Sequence, residues 1–76
     1  MEQIYFGQRI AALRKARGMT QEALAQKLGI TNQAVSKWET GAADPSTSNL
    51  LALAKLFGAP AEELLWEMER EKDDET

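Results

Sequence analysis

A chain of 76 residues is the size of one small domain, and an apolar content of 43% is enough for a single packed core. Cysteine and histidine are both absent, which excludes disulfides and thiolate metal sites and removes the usual general base of an enzyme. The net charge of −3 is unusual for a nucleic-acid binder, but it is unevenly divided: residues 1–41 carry +3 (six basic, three acidic) and residues 42–76 carry −6 (three basic, nine acidic).

The first predicted helix covers about residues 3–17. Phe6, Ile10 and Leu13 recur at helical spacing on one face, so we expect them in the core. Gly7 lies inside this pattern and costs up to about 1 kcal/mol relative to alanine. A glycine at such a cost predicts that another helix packs closely against this point.

Two short helices joined by a tight turn follow. Thr20 is a good N-cap for a helix over 21–28, and Thr31 is a good N-cap for a second one that runs to about residue 40. Glycine residues suited to a left-handed helix stop follow both, at Gly29 and Gly41. The sequence therefore predicts a compact helical pair.

The outward side of the second short helix is unusual because it carries no acid. At about 100° per residue, Ala34, Val35 and Trp38 share a core-facing stripe, and Glu39 lies near it. The opposite side carries only amide, hydroxyl and ammonium groups, on Gln33, Ser36, Lys37 and Thr40. Amides and amines are the groups that hydrogen-bond to base edges in the DNA major groove, although a solvated polar face that happens to lack acids remains an alternative.

A fourth helix is predicted after the loop over residues 42–45. It is capped by Ser46 or Thr47, and it ends at about Phe57 before Gly58. Its apolar residues follow the i, i+3, i+4, i+7 pattern of a core-facing helix: Leu50, Leu53, Ala54 and Phe57.

A fifth helix is predicted from Pro60, which suits a first turn. Its core-facing stripe comprises Ala61, Leu64, Leu65 and Met68. Trp66 points away from this stripe, so it is either a chance surface residue or an interface anchor, and we favour an anchor for a second copy of the chain. The acidic segment 69–76 contains no apolar residue, and we expect it to be a disordered tail that follows a domain over 1–68.

The spacing within residues 21–40 matches a known motif. Counted from Gln21, alanine is fifth, glycine is ninth, and apolar residues occupy positions 4, 8, 10, 15 and 18. The pattern resembles the helix-turn-helix of the XRE-type phage repressor family, also called lambda-repressor-like. The resemblance covers about residues 8–66 and extends to Leu13-Arg14, Arg17-Gly18-Met19-Thr20-Gln21-Glu22, Leu24-Ala25, Leu28-Gly29, Val35-Ser36-Lys37-Trp38-Glu39, Gly41, Pro45-Ser46, Leu53-Ala54 and Phe57-Gly58. It implies an all-α, compact five-helix DNA-binding domain.

The resemblance also implies roles for single residues. The helix over 31–40 would enter the major groove, with base contacts from Asn32, Gln33, Ser36 and Lys37. Phosphate contacts would come from Gln21, Thr31 and Thr40, while Ala42 replaces a residue that is frequently basic in the family. Arg14 and Glu39 would form a largely buried, structural ion pair. The remaining basic residues of the first helix, Arg9, Lys15 and Arg17, are expected to be solvated charges.

The function implied is sequence-specific DNA binding by a transcriptional regulator, most simply a repressor. It would bind an inverted-repeat operator as a homodimer, through helix five with Trp66 and Leu65. A protein-interaction module of the same fold, for instance one that neutralises a partner as an antitoxin does, remains an alternative. No enzyme activity, cofactor or metal is expected, because no catalytic or phosphate-loop motif is present. Without a signal peptide or an apolar run of about 20 residues, we expect a soluble, cytoplasmic protein of a prokaryote or phage, associated with the nucleoid.

Overall fold

The structure is a computed structural model that describes residues 5–73. It contains five α-helices and, within these residues, no strand: α1 (Tyr5–Ala16), α2 (Gln21–Leu28), α3 (Asn32–Thr40), α4 (Thr47–Phe57) and α5 (Ala61–Asp73). The predicted all-α, five-helix architecture is confirmed. The predicted start of the first helix at residue 3 and the last residues of the tail, 74–76, lie outside the described residues. No helix in the described part of the chain combines the length and apolar character needed to cross a membrane.

Side-chain oxygens cap three of the helices at their N-termini. Thr20 accepts a hydrogen bond from the amide of Ala23 (3.0 Å), and Thr31 accepts one from the amide of Ala34 (3.3 Å). At α4 the cap is Ser46 rather than Thr47, because the Ser46 hydroxyl accepts from the Asn49 amide. The capping predicted for α2 and α3 is therefore confirmed, and the choice left open at α4 is settled.

The core lies between the helices, with α1 packed against α3 and α5, α2 against α3 and α4, and α4 against α5. Its buried apolar residues come from all five helices: Phe6, Ile10, Leu24, Ala25, Val35, Trp38, Leu50, Leu53, Ala54, Phe57 and Leu64. Leu13, Ala34, Ala61 and Met68 are partly buried and pack against this cluster.

Leu65 does not face the core, which corrects the prediction for the α5 stripe. Its exposed fraction is 39%, whereas Leu64 beside it is fully buried. Adjacent helical residues differ by about 100° in direction, and the buried side of α5 is centred on Leu64 at one edge of the stripe, so Leu65 at the other edge stays in solvent.

Helix α5 extends to Asp73 and thus includes residues 69–73, where the sequence led us to expect disorder. Glutamate, arginine and lysine are good helix formers, and extending an existing helix avoids the cost of nucleation. The guanidinium of Arg70 also lies 5.1 Å from the centre of the Trp66 ring, one turn earlier. The end of the domain at residue 68 stays a prediction.

At Gly7 the backbones of α1 and α3 lie close together, as the position of this glycine in the first helix predicts. A Cβ atom at Gly7 would lie 2.5 Å from the carbonyl oxygen of Glu39 and 2.6 Å from that of Trp38. Only a residue without a side chain allows the two backbones to meet in this way.

Candidate nucleic-acid interface

The turn between α2 and α3 joins the neighbouring ends of the two helices. Gly29 adopts the left-handed conformation (φ 70°), and the amide of Ile30 then donates to the carbonyl of Ala25 at 3.0 Å. Ile30 is partly buried against the core, as expected for an apolar residue at the elbow. Leu24 and Val35 are fully buried, so both helices of the motif pack against the core.

The outward side of α3 is open to solvent. Asn32, Gln33 and Lys37 are exposed and Ser36 is partly exposed, while Val35 and Trp38 on the opposite side are buried. Glu39 does not contribute an acid to this surface, because its side chain is only 7% exposed. Amide, hydroxyl and ammonium groups therefore stand together on a side of α3 that no other described part of the chain covers.

Three further side chains were predicted to contact phosphate, and the structure gives each a partner within the chain. The Thr31 oxygen accepts from the Ala34 amide, which leaves its O–H able to donate outward. The Thr40 hydroxyl donates to the carbonyl of Lys37 (3.3 Å), so it would have to rotate in order to donate to a phosphate. The Gln21 side-chain amide donates to Oε1 of Glu39 (3.0 Å).

Arg14 and Glu39 form a largely buried salt bridge next to the helix-turn-helix. Nε of Arg14 donates to Oε2 of Glu39 (2.7 Å), Nη2 donates to Oε1 (3.0 Å), and Nη1 donates to the carbonyl of Met19 (2.7 Å). Burial raises the pKa of Glu39, but hydrogen bonds from Arg14 and Gln21 and the charges of Arg14 and Lys15 outweigh it, so the pKa lies below its ordinary value. Glu39 is thus a buried carboxylate that holds α1, α2 and α3 together.

Comparison with known proteins assigns the family. A family model described as helix-turn-helix matches residues 10–64. Repressor protein C2 of Salmonella phage P22 is 41% identical over 59 residues, which are 78% of this chain and 27% of that protein. The chain belongs to the XRE-type, lambda-repressor-like helix-turn-helix family. The chain is also similar to the HTH-type transcriptional activator BcrR of Enterococcus faecalis, with 37% identity over 60 residues, which are 79% of this chain and 29% of that one.

A solved structure of the same family has the same fold. The crystal structure of the P22 c2 repressor in complex with a synthetic operator superposes with a TM-score of 0.73 at 39% identity, covering 78% of this chain and 89% of that chain. This chain spans less than a third of the full length of C2 and of BcrR, so the comparison concerns the helix-turn-helix domain.

Two basic residues of the helix-turn-helix domain have structural partners that sequence reasoning missed. Arg9 donates to Glu63 (2.6 Å) on α5. Arg17 donates to the carbonyls of Leu56 (3.0 Å) and Phe57 (2.8 Å) at the end of α4, and its guanidinium lies over the Phe57 ring. Both were expected to be solvated charges, and both remain in contact with solvent, since Arg17 is exposed and the Arg9 side chain is 34% exposed. Their partners were not predicted because they lie 39–54 residues away in sequence, where no local pattern can indicate them.

The family domain also exposes large apolar side chains outside the motif. Trp66 and Leu65 on α5 have exposed fractions of 57% and 39%, and Leu51 on α4 reaches 54%. Trp66 is flanked one turn to either side by exposed side chains of opposite charge, Glu62 and Arg70. This part of α5 is therefore an apolar centre between an acid and a base.

Proposed function

We propose that this chain is a sequence-specific DNA-binding transcriptional regulator that inserts α3 into the major groove. The observation that carries the proposal is the exposed, acid-free side of α3 with Gln33 and Lys37 at its centre. The likeness of the whole domain to a repressor that was crystallised with an operator supports it.

The residue types on α3 define which bases it can read. Asn32 and Gln33 stand in its first turn, and the amide of either can pair with N6 and N7 of adenine in a bidentate manner. Lys37, one turn further, can donate to O6 and N7 of guanine. Ser36 is short and can contact either a base or a phosphate. Each good base pairing contributes about 1–3 kcal/mol of discrimination against a wrong base.

Contacts to the phosphate backbone would fix the register of the protein on the duplex. The N-terminus of α2 presents the backbone amides of its first turn together with Gln21, and the positive end of the helix dipole lies there. Thr31 and Thr40, at the two ends of α3, would add hydroxyl donors.

Few basic residues are left to neutralise phosphates. Three of the six in residues 1–41 are engaged in the fold, namely Arg9, Arg14 and Arg17. The other three are lysines, Lys15, Lys27 and Lys37, and all are exposed. Because counterion release scales with the number of neutralised phosphates, nonspecific binding should be weak, and specificity should come mainly from uncharged donors.

One copy of α3 spans too few base pairs for useful specificity, so we infer that the regulator binds as a homodimer to an inverted repeat. A two-fold axis would place half-sites about 34–36 Å apart. The exposed side of α5 suits self-association, because antiparallel pairing about Trp66 brings Glu62 of each copy against Arg70 of the other. Leu65 would extend the apolar contact. Repression, by occupying a promoter, is the simplest mode of action.

Replacing Trp66 with alanine should weaken the dimer by about 30-fold or more, because a central tryptophan is a typical interface hot spot worth at least about 2 kcal/mol. Sedimentation equilibrium of the wild type and of Trp66→Ala measures this directly. The melting temperature of the monomer should hardly change, because the side chain is 57% exposed. If both proteins are monomers at all concentrations tested, the dimer proposal is wrong.

Selection of bound sequences from random duplex DNA tests DNA reading. We expect an inverted repeat, and we expect Lys37→Ala to relax the preference at one position per half-site by about 5- to 100-fold. Lys55→Ala is the matched control, because it removes the same charge from an exposed position on α4. Absence of any enriched sequence, or the same loss with both variants, would contradict the role of Lys37.

A second candidate function is a protein-interaction module, and the exposed Trp66 and Leu65 in the acidic half favour it. Such a module would bind a partner protein through α5, in the manner of an antitoxin, with or without reading DNA. Tight binding of a protein by a chain that has no affinity for any duplex would favour this function. DNA affinity that steepens as salt falls would favour the regulator.

A further inference from the structure

The hydrogen bond between Gln21 and Glu39 joins the two far ends of the helix-turn-helix. Gln21 is the first residue of α2, and Glu39 is the last but one of α3, while the turn joins the other ends of these helices. The Nε2–Oε1 distance is 3.0 Å, and the Glu39 side chain is only 7% exposed. The motif is therefore a closed triangle, with the turn at one corner and this bond as the side opposite it.

Arg14 holds the Glu39 carboxylate in place, so that Gln21 can donate to it in a defined geometry. Two donors of the Arg14 guanidinium bind the carboxylate, and a third binds the carbonyl of Met19 just ahead of α2. Because Oε1 accepts from both Arg14 and Gln21, the Gln21 amide is held in one orientation. An NH₂ group has two hydrogens, so the second hydrogen of Gln21 remains for a donor role on the solvent side.

We propose that Gln21 is a positioning residue for base recognition: it sets the angle of α3 relative to the phosphate-binding end of α2, and so influences specificity without touching a base. The proposal rests on the proposed function, since it requires α3 to read bases. The side-chain amide of Gln21 would then link the phosphate-binding start of α2 to the base-reading helix α3, through its hydrogen bond to Glu39. The family resemblance implied only a phosphate contact for Gln21, and the loss of such a contact alone would weaken binding to all sequences about equally.

This geometry predicts at which base position selectivity falls when the Gln21 hydrogen bond is removed. Without the Gln21 hydrogen bond, the start of α2 is no longer held to Glu39, so the two far ends of the motif can shift relative to each other more than the ends beside the turn. On DNA, where a phosphate holds the start of α2, this shift displaces the far end of α3. Lys37 is two residues from Glu39 at the far end, whereas Gln33 lies beside the turn. Selectivity at the position read by Lys37 should therefore fall, and selectivity at the position read by Gln33 should persist.

The test measures equilibrium binding of purified protein to three duplexes. The first duplex is the operator found by selection. The second has one base pair changed at the position where Lys37→Ala relaxes the base preference. The third has one base pair changed at the position where Gln33→Ala relaxes it. Gln21→Met keeps the length of the side chain and removes the amide, and Gln26→Met is the matched control because Gln26 is exposed on the same helix. Gln21→Met should reduce selectivity at the Lys37 position by about five-fold or more, the lower end of what one base contact is worth. Selectivity at the Gln33 position should change by less than two-fold, and Gln26→Met should change neither.

The double variant Gln21→Met/Lys37→Ala separates positioning from a merely structural role. If Gln21 acts through the placement of Lys37, its loss reduces selectivity no further once Lys37 is absent. Equal weakening of all three duplexes by Gln21→Met would overturn the positioning role while leaving DNA reading by α3 intact. A wild-type protein that binds every duplex alike would overturn the proposed function and this inference with it.

Discussion

Replacing Gly7 with alanine should destabilise the domain by about 2–3 kcal/mol, although alanine is the better helix former. Propensity alone would favour the substitution by up to about 1 kcal/mol. The added Cβ, however, would lie 2.5 Å from the Glu39 carbonyl oxygen and 2.6 Å from that of Trp38. These are backbone atoms of a hydrogen-bonded helix, so they cannot rotate aside and α1 must move away from α3. Overpacking of this kind typically costs about 1–3 kcal/mol, and occasionally more.

Thermal unfolding measures the effect, which should lower the melting temperature by roughly 10–20 °C in a domain of this size. Ala12→Gly is the matched control, because Ala12 is exposed on the same helix and reports the propensity term alone. The control should lose up to about 1 kcal/mol. A Gly7→Ala variant that is more stable than the wild type would show that α1 and α3 do not meet as closely as described.

Local signals explain why the helix-turn-helix could be predicted from the sequence. An N-cap depends on residues within three positions, as when Thr20 binds the Ala23 amide, and a glycine stop depends on the conformation of one residue. The cost of Gly7 within α1 similarly pointed to a close helix contact without showing which helix provides it. The exposed side of α3 followed from periodicity, because its buried side is marked by Val35 and Trp38.

Long-range partners could not be predicted in this way. The Arg17 side chain binds carbonyls of α4, and Arg9 binds α5, so each bond depends on how helices distant in sequence are packed. Leu65 illustrates a second limit, since residues at the edge of an apolar stripe are buried or exposed according to where the neighbouring helix lies. The hydrogen bond between Gln21 and Glu39 likewise depends on how α2 and α3 pack, since the two residues are 18 positions apart in sequence. It is the basis for our proposal that Gln21 positions α3 in addition to binding phosphate.

Replacing Arg14 with methionine should cost about 3–5 kcal/mol of folding free energy at pH 7, because it leaves the buried Glu39 carboxylate without its cationic partner. For a small domain, whose total stability is commonly near the lower end of about 5–15 kcal/mol, this loss would leave a substantial unfolded population. Chemical denaturation of the wild type and of Arg14→Met measures it. Arg14→Met/Glu39→Gln is the matched control, since a neutral amide can still accept from Gln21 and should restore part of the stability.

The same pair predicts opposite pH dependences for the two proteins. In the wild type the folded-state pKa of Glu39 lies below its ordinary value of about 4.3, so the stability it contributes is fully present above that value and is lost as the pH falls through the lower, folded-state pKa. In Arg14→Met the charge and hydrogen bonds of Arg14 are gone, and burial, the largest single cause, is opposed only by the Gln21 hydrogen bond and the charge of Lys15. We expect burial to outweigh these two, so the pKa of Glu39 should rise above its ordinary value. The sign then reverses: Arg14→Met should gain stability as the pH is lowered from 7 towards about 4.5, because protonation removes the buried charge. The double variant has no carboxyl group at position 39 and should lack this gain. If Arg14→Met gains no stability over this range relative to the double variant, the Glu39 carboxylate is not held in a buried site.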